Sequence, residues 1–487
     1  MGNGKVYLVG AGPGDEELIT VKGLAAIKEA EVILYDRLVN PRLLEFASSE
    51  CELVYCGKLP HRHFLKQELI NDLLIEKALK GKNVVRLKGG DPGVFGRVGE
   101  EALALADHNI EFEMIPGITS GLAAPLYAGI PVTHRDYGGS FSIVTAHDKS
   151  IDGRPSIDWE GLIRGNETIA FYMGIANLEH ICENLMKNGK SPETPIILIQ
   201  WGTWGRQKTL EGTLATIVGL AEMQRFRNPA ITLVGEIIKI REKISWFEKK
   251  PLFGRQVLLI RTGTDESDLA KELRGQGADV VEFPKWRKRS VEIDQLILKQ
   301  IDTYDRILFT SSESVEEFFE ILYKNKIDIR KIKGELYGKS TKSKKAIERY
   351  GVFSKVESDM GDEGKLLIIG DRNDMRPIDN QKADFLITSI KETDENFISI
   401  SKRTFEEATF DTIILPSSFS VNTFLGNLEK IEIDQEEFLK SVRIICMGKN
   451  TWKTAESFGL LPNDMPDFPS NKELIKCLIN KETYSYI

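Results

Sequence analysis

The fold is decided by the stretch Lys5-Val6-Tyr7-Leu8-Val9-Gly10-Ala11-Gly12-Pro13-Gly14-Asp15. An apolar run ends at once in a turn holding Gly10, Gly12 and Gly14. A strand that delivers a Gly-rich loop to its carboxyl end is the entry unit of an open α/β sheet. Working outward, Thr20 to Ala30 places Leu24, Ile27 and Lys28 at helical spacing. Glu31 to Tyr35 reads as a second strand and Asn83 to Leu87 as a third. Further strands are predicted at Phe141–Thr145, Thr168–Tyr172, Pro195–Gln200 and Ala230–Val234. Short apolar strands separated by helical stretches predict a parallel sheet with crossover helices.

The opening loop is not a dinucleotide fingerprint. GxGxxG needs glycine where Asp15 stands, and Pro13 removes a donor inside the loop. Four more Gly-containing loops end predicted strands or open helices. They are Gly89-Gly90-Asp91-Pro92-Gly93-Val94-Phe95-Gly96-Arg97, Pro116-Gly117-Ile118-Thr119-Ser120-Gly121, Tyr172-Met173-Gly174 and Gln200-Trp201-Gly202-Thr203. In an open α/β sheet, ligands collect at the carboxyl ends of the strands. No phosphate-binding Lys-Ser/Thr motif is present, which turns the reading away from triphosphate chemistry.

Composition narrows the classes. The chain has 487 residues, with 65 Lys plus Arg against 73 Asp plus Glu, a net charge of −8. That length predicts about three domains at ~150 residues each. A net acidic chain is a poor candidate for binding a nucleic-acid backbone. No apolar run approaches the ~20 residues of a membrane helix. The five cysteines are scattered and form no CxxC pair, which suits a reducing cytosol rather than a disulfide framework or zinc site. The start, Met1-Gly2-Asn3-Gly4-Lys5, lacks a signal-peptide pattern, so a cytoplasmic location is expected. His61 and His63 lie near Cys56, but without a fourth ligand at sensible spacing no metal site is expected. All six histidines precede residue 181, an asymmetry that suggests two units of different origin.

A boundary is expected in Trp246-Phe247-Glu248-Lys249-Lys250-Pro251-Leu252-Phe253-Gly254, where charge gives way to Pro and Gly. Beyond it lies a faint repeat. Gly254 to Arg261 resembles Gly364 to Arg372. Tyr304-Asp305-Arg306-Ile307-Leu308-Phe309-Thr310-Ser311-Ser312 resembles Phe410-Asp411-Thr412-Ile413-Ile414-Leu415-Pro416-Ser417-Ser418, and Leu336 to Thr341 resembles Cys446 to Thr451. Each pair is offset by roughly 110 residues, which predicts two duplicated α/β lobes. The Ser-rich turns either expose helix N-termini to anions or simply cap helices.

The loop series closely resembles the uroporphyrinogen-III C-methyltransferase family. The resemblance rests on Val6 to Asp15, Tyr35-Asp36-Arg37-Leu38-Val39, Arg86 to Pro92, Pro116 to Ser120 and Ala128 to Arg135, and spans about residues 3–245. It implies a domain of two α/β lobes over 1–246, with S-adenosylmethionine in the cleft and homodimers as the working form. The cofactor contacts implied are Pro13, Gly89, Gly90, Asp91, Val94, Thr119, Ser120, Met173 and Gly202. Asp36 matches the family's proposed proton acceptor and Lys58 its proposed donor. Arg37, Arg97 and Glu100 match residues that handle substrate. Val98 stands where Gly is usual and Gly93 where Phe is usual.

The chemistry agrees. Uroporphyrinogen III carries eight carboxylates, and Arg37, Arg97 and Arg135 are candidates to hold them. Its reduced pyrroles are electron-rich, so a ring carbon can attack a sulfonium methyl without a metal or covalent nucleophile. The protein has to align the reacting atoms and take up a proton. Taken singly, Asp36 with Arg37 could be a surface ion pair, Lys58 a solvated lysine, and Arg97 with Glu100 an ordinary i,i+3 pair.

Residues 252–487 resemble the uroporphyrinogen-III synthase family, through Tyr304 to Ser312, the duplicated strand openings and Gly448-Lys449-Asn450-Thr451. That resemblance implies closure of hydroxymethylbilane to uroporphyrinogen III without a cofactor. Two departures stand out: Phe385 to Lys391 holds no Tyr, and Pro416 replaces the usual Thr. The chain is therefore expected to make precorrin-2 for sirohaem or cobalamin from uroporphyrinogen III, and to synthesise that substrate itself. The alternatives are a second half that only binds tetrapyrrole or a protein, and a methyltransferase acting on a later precorrin.

Overall fold

The computed structural model describes residues 3–57, 67–147, 153, 156–264, 266–374 and 383–479. The first sheet comprises β1 (Val6–Gly10), β2 (Val32–Tyr35), β3 (Glu52–Tyr55), β4 (Val84–Lys88) and β5 (Phe112–Ile115). Its order is β3-β2-β4-β1-β5, and every pairing is parallel. Val6, Leu8, Val32, Leu34 and Val84 pack on Ile70, Leu74, Ala78, Ala102 and Leu105 of two helices. The loops after β1, β2 and β4 therefore leave the same edge of the sheet.

The second sheet comprises β6 (Phe141–Thr145), β7 (Thr168–Tyr172), β8 (Pro195–Gln200), β9 (Lys208–Thr213) and β10 (Ala230–Val234), in the order β6-β7-β10-β8-β9. Here the expectation of a parallel sheet is corrected. Only β6 and β7 run parallel, whereas β10 is antiparallel to both β7 and β8, and β9 is antiparallel to β8. For β9 the reason is local: Trp201 to Gln207 turns β8 straight back into β9, and Gln200 pairs with Lys208. So short a connection permits only the antiparallel pairing. Both faces are covered. Ile196 and Leu198 enter one core cluster, while Ile197 and Ile199 enter another. The continuous apolar run in β8 follows from burial on both sides.

The later strands are β11 (Gln256–Ile260), β12 (Asp279–Phe283), β13 (Trp286–Ser290), β14 (Arg306–Phe309), β15 (Glu335–Gly338), β16 (Lys355–Val356), β17 (Leu366–Asp371), β18 (Ala383–Thr393), β19 (Thr412–Leu415) and β20 (Arg443–Cys446). They form one sheet of order β12-β11-β19-β20 and another of order β13-β18-β17-β14-β15-β16. The duplication is real, and it is exchanged. β12-β11-β19-β20 has the same parallel order as β18-β17-β14-β15, strand for strand. Each sheet takes the opening strands of one repeat and the closing strands of the other. The Ser turns match too. Ser311 and Ser314 form a capping box, and so do Ser417 and Ser420. The hydroxyls of Ser311 and Ser417 are thus engaged in helix capping.

The described chain packs as two compact units. One holds Met1–Ile260, Ser267–Phe283 and Ser399–Ile487, and so both sheets of the first half plus β11-β12-β19-β20. The other holds Arg261–Glu266 and Pro284–Ile398. Within the first unit, the Trp246 to Gly254 segment is tied down by aromatic edges: Tyr127 meets Trp246 and Phe247 at 5.0 and 4.8 Å, and Phe247 meets Phe253 at 5.4 Å.

Further ties join β12 to the first half. Arg206 lies over the rings of Trp201 and Trp204 at 4.1 and 4.6 Å and pairs with Asp279 at 3.3 Å. Burial pushes the Asp279 carboxyl up to about 6, and Arg206 offsets only part of that. A carboxyl raised in the folded state binds its proton more tightly there, so its contribution is fully present below pH ~4 and lost as pH rises through ~6. Asp279→Asn removes that titration. The stability of the native chain relative to Asp279→Asn is expected to fall by about 2 kcal/mol between pH 4 and pH 7. Urea unfolding of both proteins across this range checks it, and parallel pH curves would reject it.

Among the described residues no helix is long and apolar enough to cross a membrane.

Candidate functional site

A cleft of about 1600 Å³ opens along the carboxyl edge of the first sheet and the facing loops of the second. Three Gly loops close its floor. Gly12 and Gly90 exchange two backbone hydrogen bonds of 3.1 and 2.7 Å. A Cβ on Gly117 would stand 2.3 Å from the Gly90 carbonyl oxygen, so no side chain fits there. Asp91 locks the same junction, its carboxylate accepting from the N–H of Gly93 at 2.7 Å and of Gly117 at 2.9 Å.

Asp15, which spoils the dinucleotide fingerprint, has a structural use. Its carboxylate caps the turn Glu16–Leu18 and accepts from the Tyr127 hydroxyl at 2.8 Å. Its N–H donates to Thr203 Oγ1 at 3.0 Å, which ties the first loop to the second sheet.

Of the residues singled out by sequence, Pro13, Asp36, Arg37, Gly89, Gly90, Val94, Arg97, Glu100, Ser120, Met173 and Gly202 all line this cleft. Asp91 and Thr119 stand behind the lining. Thr119 is buried and its Oγ1 lies 2.5 Å from the Tyr172 hydroxyl. That hydroxyl also accepts from the Gly121 N–H. Burial raises the Tyr172 phenol, which favours its neutral hydrogen-bonding form. Arg97 is held by Glu100 through a two-pronged pair at 2.8 and 2.5 Å, with both side chains about half exposed. Arg135 is exposed and outside the lining. Lys58, His61 and His63 lie outside the described residues. Among the described residues, no group of three or more His, Cys, Asp or Glu is placed to hold a metal ion.

Four lining residues, Phe95, Arg97, Met173 and Trp201, hold left-handed φ values of 55°, 58°, 57° and 49°. Such a conformation costs about 1 kcal/mol or more each and is held only where the surroundings enforce it, as at ligand sites. Phe95 packs edge-on to Tyr172 at 5.2 Å and helps wall the cleft.

Sequence reasoning missed the electrostatic centre. Arg86 is 2% exposed, and Glu101 is fully buried. Arg86 donates to Asp36 Oδ1 at 2.6 Å and to Glu101 Oε1 at 3.0 Å. Lys88 donates to the same Glu101 oxygen at 2.7 Å, and Gln67 adds a fifth member at 3.2 Å. Burial and the neighbouring Arg86 lower the Lys88 ammonium, whereas Asp36 and Glu101 outweigh burial at Arg86 and raise it. Asp36 is the exposed end of this network, with 33% of its side chain open. The cluster presents one carboxylate to the cleft, fixed in direction by a buried guanidinium. The missed signal was two cations at i,i+2 in the apolar strand Val84-Val85-Arg86-Leu87-Lys88, hence on one face of β4. Cys56 also lines the cleft, but burial pushes its thiol up to about 11, which keeps it protonated and unreactive.

A family model described as Tetrapyrrole (Corrin/Porphyrin) Methylases matches residues 5–218. One described as Uroporphyrinogen-III synthase HemD matches residues 267–370. A uroporphyrinogen-III C-methyltransferase of Bacillus subtilis (strain 168) is 49% identical over 452 residues, covering 93% of this chain and 93% of that protein. A porphyrin biosynthesis protein HemD of Ruminiclostridium josui is 33% identical over 484 residues, covering 94% and 95%. A crystal structure of uroporphyrin-III C-methyl transferase from Thermus thermophilus, complexed with S-adenyl homocysteine, is 38% identical. It covers 49% of this chain and 100% of its own, with a TM-score of 0.42. By a likeness that runs nearly its full length, the chain belongs to the uroporphyrinogen-III C-methyltransferase family of tetrapyrrole methylases, with a second half of the uroporphyrinogen-III synthase family.

Proposed function

We propose that the first half transfers two methyl groups from S-adenosylmethionine to carbons of uroporphyrinogen III, giving precorrin-2 on the way to sirohaem or cobalamin. We propose also that the second half makes uroporphyrinogen III from hydroxymethylbilane. The observation that carries the methylation reading is Asp36, held at 2.6 Å by buried Arg86 and open to a cleft floored by three Gly loops.

The residues present fit the methyl donor. Gly89 and Gly90 let backbone approach a ligand closely, and Pro13, Val94, Met173 and Gly202 give apolar lining for a nucleoside. Ser120 adds a hydroxyl at the opening of the helix Ser120–Tyr127. Asp91 and Thr119 support these loops from behind. The donor, when bound, supplies an electrophilic methyl on a sulfonium.

Arg37, with Arg97 where Glu100 releases it, holds substrate carboxylates at the cleft mouth. Each ring carbon that gains a methyl leaves the macrocycle with one proton to lose. Asp36 accepts it, and Arg86 keeps the carboxylate aimed beforehand. Lys58 stands in the family's proposed proton-donor position, and the one proton released per methyl transfer passes from Asp36 to solvent. The working form is a homodimer through the first half.

A second reading, in which the later lobes only bind tetrapyrrole, is favoured by two observations. No Tyr stands in Phe385 to Lys391, and the Ser311 and Ser417 hydroxyls are engaged in capping. One experiment on the full chain separates the readings. Hydroxymethylbilane is supplied with and without S-adenosylmethionine, and the isomers and methylated products are resolved by chromatography. Type III product is expected without the donor and precorrin-2 with it. Type I product alone removes the synthase activity. Unmethylated uroporphyrinogen III, supplied directly with the donor, would remove the methyltransferase.

A further inference from the structure

Arg37 at the cleft is met by a helix that lies some 370 residues away in sequence, and the pairing is chemical rather than merely steric. The helix Ile398–Glu407 brings Arg403 and Glu407, four residues apart and so on one face, against the ends of β2 and β3. Arg403 lies 5.4 Å from the ring centre of Tyr35 and 4.3 Å from that of Tyr55. The two rings are themselves 5.5 Å apart. Tyr35 is the last residue of β2 before Asp36, and Tyr55 the last of β3 before Cys56 and Gly57, which line the cleft. Glu407 then meets Arg37, with 3.7 Å between the Arg37 guanidinium and its carboxylate.

Two magnitudes decide what this pair can do. At 3.7 Å it is longer than a direct charge-assisted hydrogen bond. The Arg37 side chain is 40% exposed and that of Glu407 24%, so both charges remain hydrated. A loose, wet pair of this kind shifts an equilibrium by about five-fold at most. It is strong enough to bias the Arg37 rotamer and weak enough to be exchanged for another carboxylate. The Arg403 contact differs, because Tyr35 is only 2% exposed and the guanidinium is partly desolvated against two rings.

We infer that Glu407 is a substrate-positioning residue for methylation, an internal carboxylate that holds Arg37 at the cleft mouth and is displaced by a carboxylate of the tetrapyrrole. Arg403 anchors the helix that carries it. The second half thereby tunes tetrapyrrole affinity in the first. The inference rests on the proposed methylation reaction.

The test uses the full chain and methylation kinetics with each substrate varied in turn. In Glu407→Gln, Arg37 loses its resident competitor. KM for uroporphyrinogen III is expected to fall about two- to five-fold at low ionic strength and to converge with the native value in ~0.5 M salt. KM for S-adenosylmethionine and kcat stay unchanged, which a general packing defect would not produce. In Arg403→Gln the anchor is lost, and KM for the tetrapyrrole is expected to move the same way, with type III synthesis from hydroxymethylbilane unchanged in the same preparation. An unchanged tetrapyrrole KM in Glu407→Gln, with normal methylation by the native chain, overturns the inference alone. Absence of methylation by the native chain overturns the functional reading and the inference with it.

Discussion

Asp36→Ala is expected to lower kcat for methylation by about two to four orders of magnitude, the usual worth of a positioned proton acceptor. The affinity for the methyl donor, measured by calorimetry, is expected to stay within about two-fold, because the loops that floor the cleft are held by their own bonds. Gly12 with Gly90, and Asp91 with Gly93 and Gly117, do not involve Asp36. The fold is expected to survive, since Arg86 keeps Glu101 as its second carboxylate at 3.0 Å. Asp36→Asn sharpens the point. The amide oxygen can still accept from Arg86, so direction is kept while proton acceptance is lost. If positioning alone matters, Asn restores the rate; if Asp36 takes the proton, Asn is as slow as Ala. A native rate in Asp36→Ala removes the residue from the mechanism.

Glu101→Leu is expected to be the most destabilising single change in the first half, by about 3–5 kcal/mol. Glu101 is fully buried, and its Oε1 gathers Arg86, Lys88 and Gln67. Removing it leaves the buried Arg86 guanidinium with Asp36 as its one carboxylate and the buried Lys88 ammonium without the carboxylate it donates to, among the described residues. The Lys88 ammonium, already lowered by burial and by Arg86, then falls further, because Glu101 is the first of the groups that raise it. A lysine whose folded value lies below its unfolded one binds fewer protons in the fold, so stability rises with pH. The deficit in Glu101→Leu should therefore shrink towards alkaline pH. Thermal unfolding of the full chain checks both claims, with a shift of about 10 °C expected for the transition that contains the first half. A shift under about 2 °C, or one that grows with pH, would sink the account.

Every interior strand of the first half was legible in the sequence, whereas of its four edge strands only β6 was. β1, β2, β4, β7, β8 and β10 are all interior strands, covered on both faces, and each reads as an apolar run. The strands of the first half that escaped, β3, β5 and β9, all lie at sheet edges. Their residues are mostly half-buried or exposed, as in Glu52-Leu53-Val54-Tyr55 and Phe112-Glu113-Met114-Ile115. An edge strand needs less apolar surface, so it carries less pattern. The cleft lining was legible for a similar reason. A backbone that must approach a ligand or another loop requires glycine, and Gly90 and Gly117 answer that requirement in the sequence itself.

By itself the sequence determined the local units: the interior strands of the first half, which loops are glycine-bound to one conformation, and that the second half is duplicated. These are consequences of steric limits and burial, and both act over a few residues. Only the tertiary structure decided the partnerships. It showed that β9 folds back on β8, so that the second sheet is mixed. It showed that each later sheet takes strands from both repeats, which no periodicity encodes. It brought Arg86, Lys88 and Glu101 into one buried network behind Asp36, and Glu407 to Arg37. Charge pairing depends on distance and on the dielectric around the pair, and both are set by residues remote in the chain.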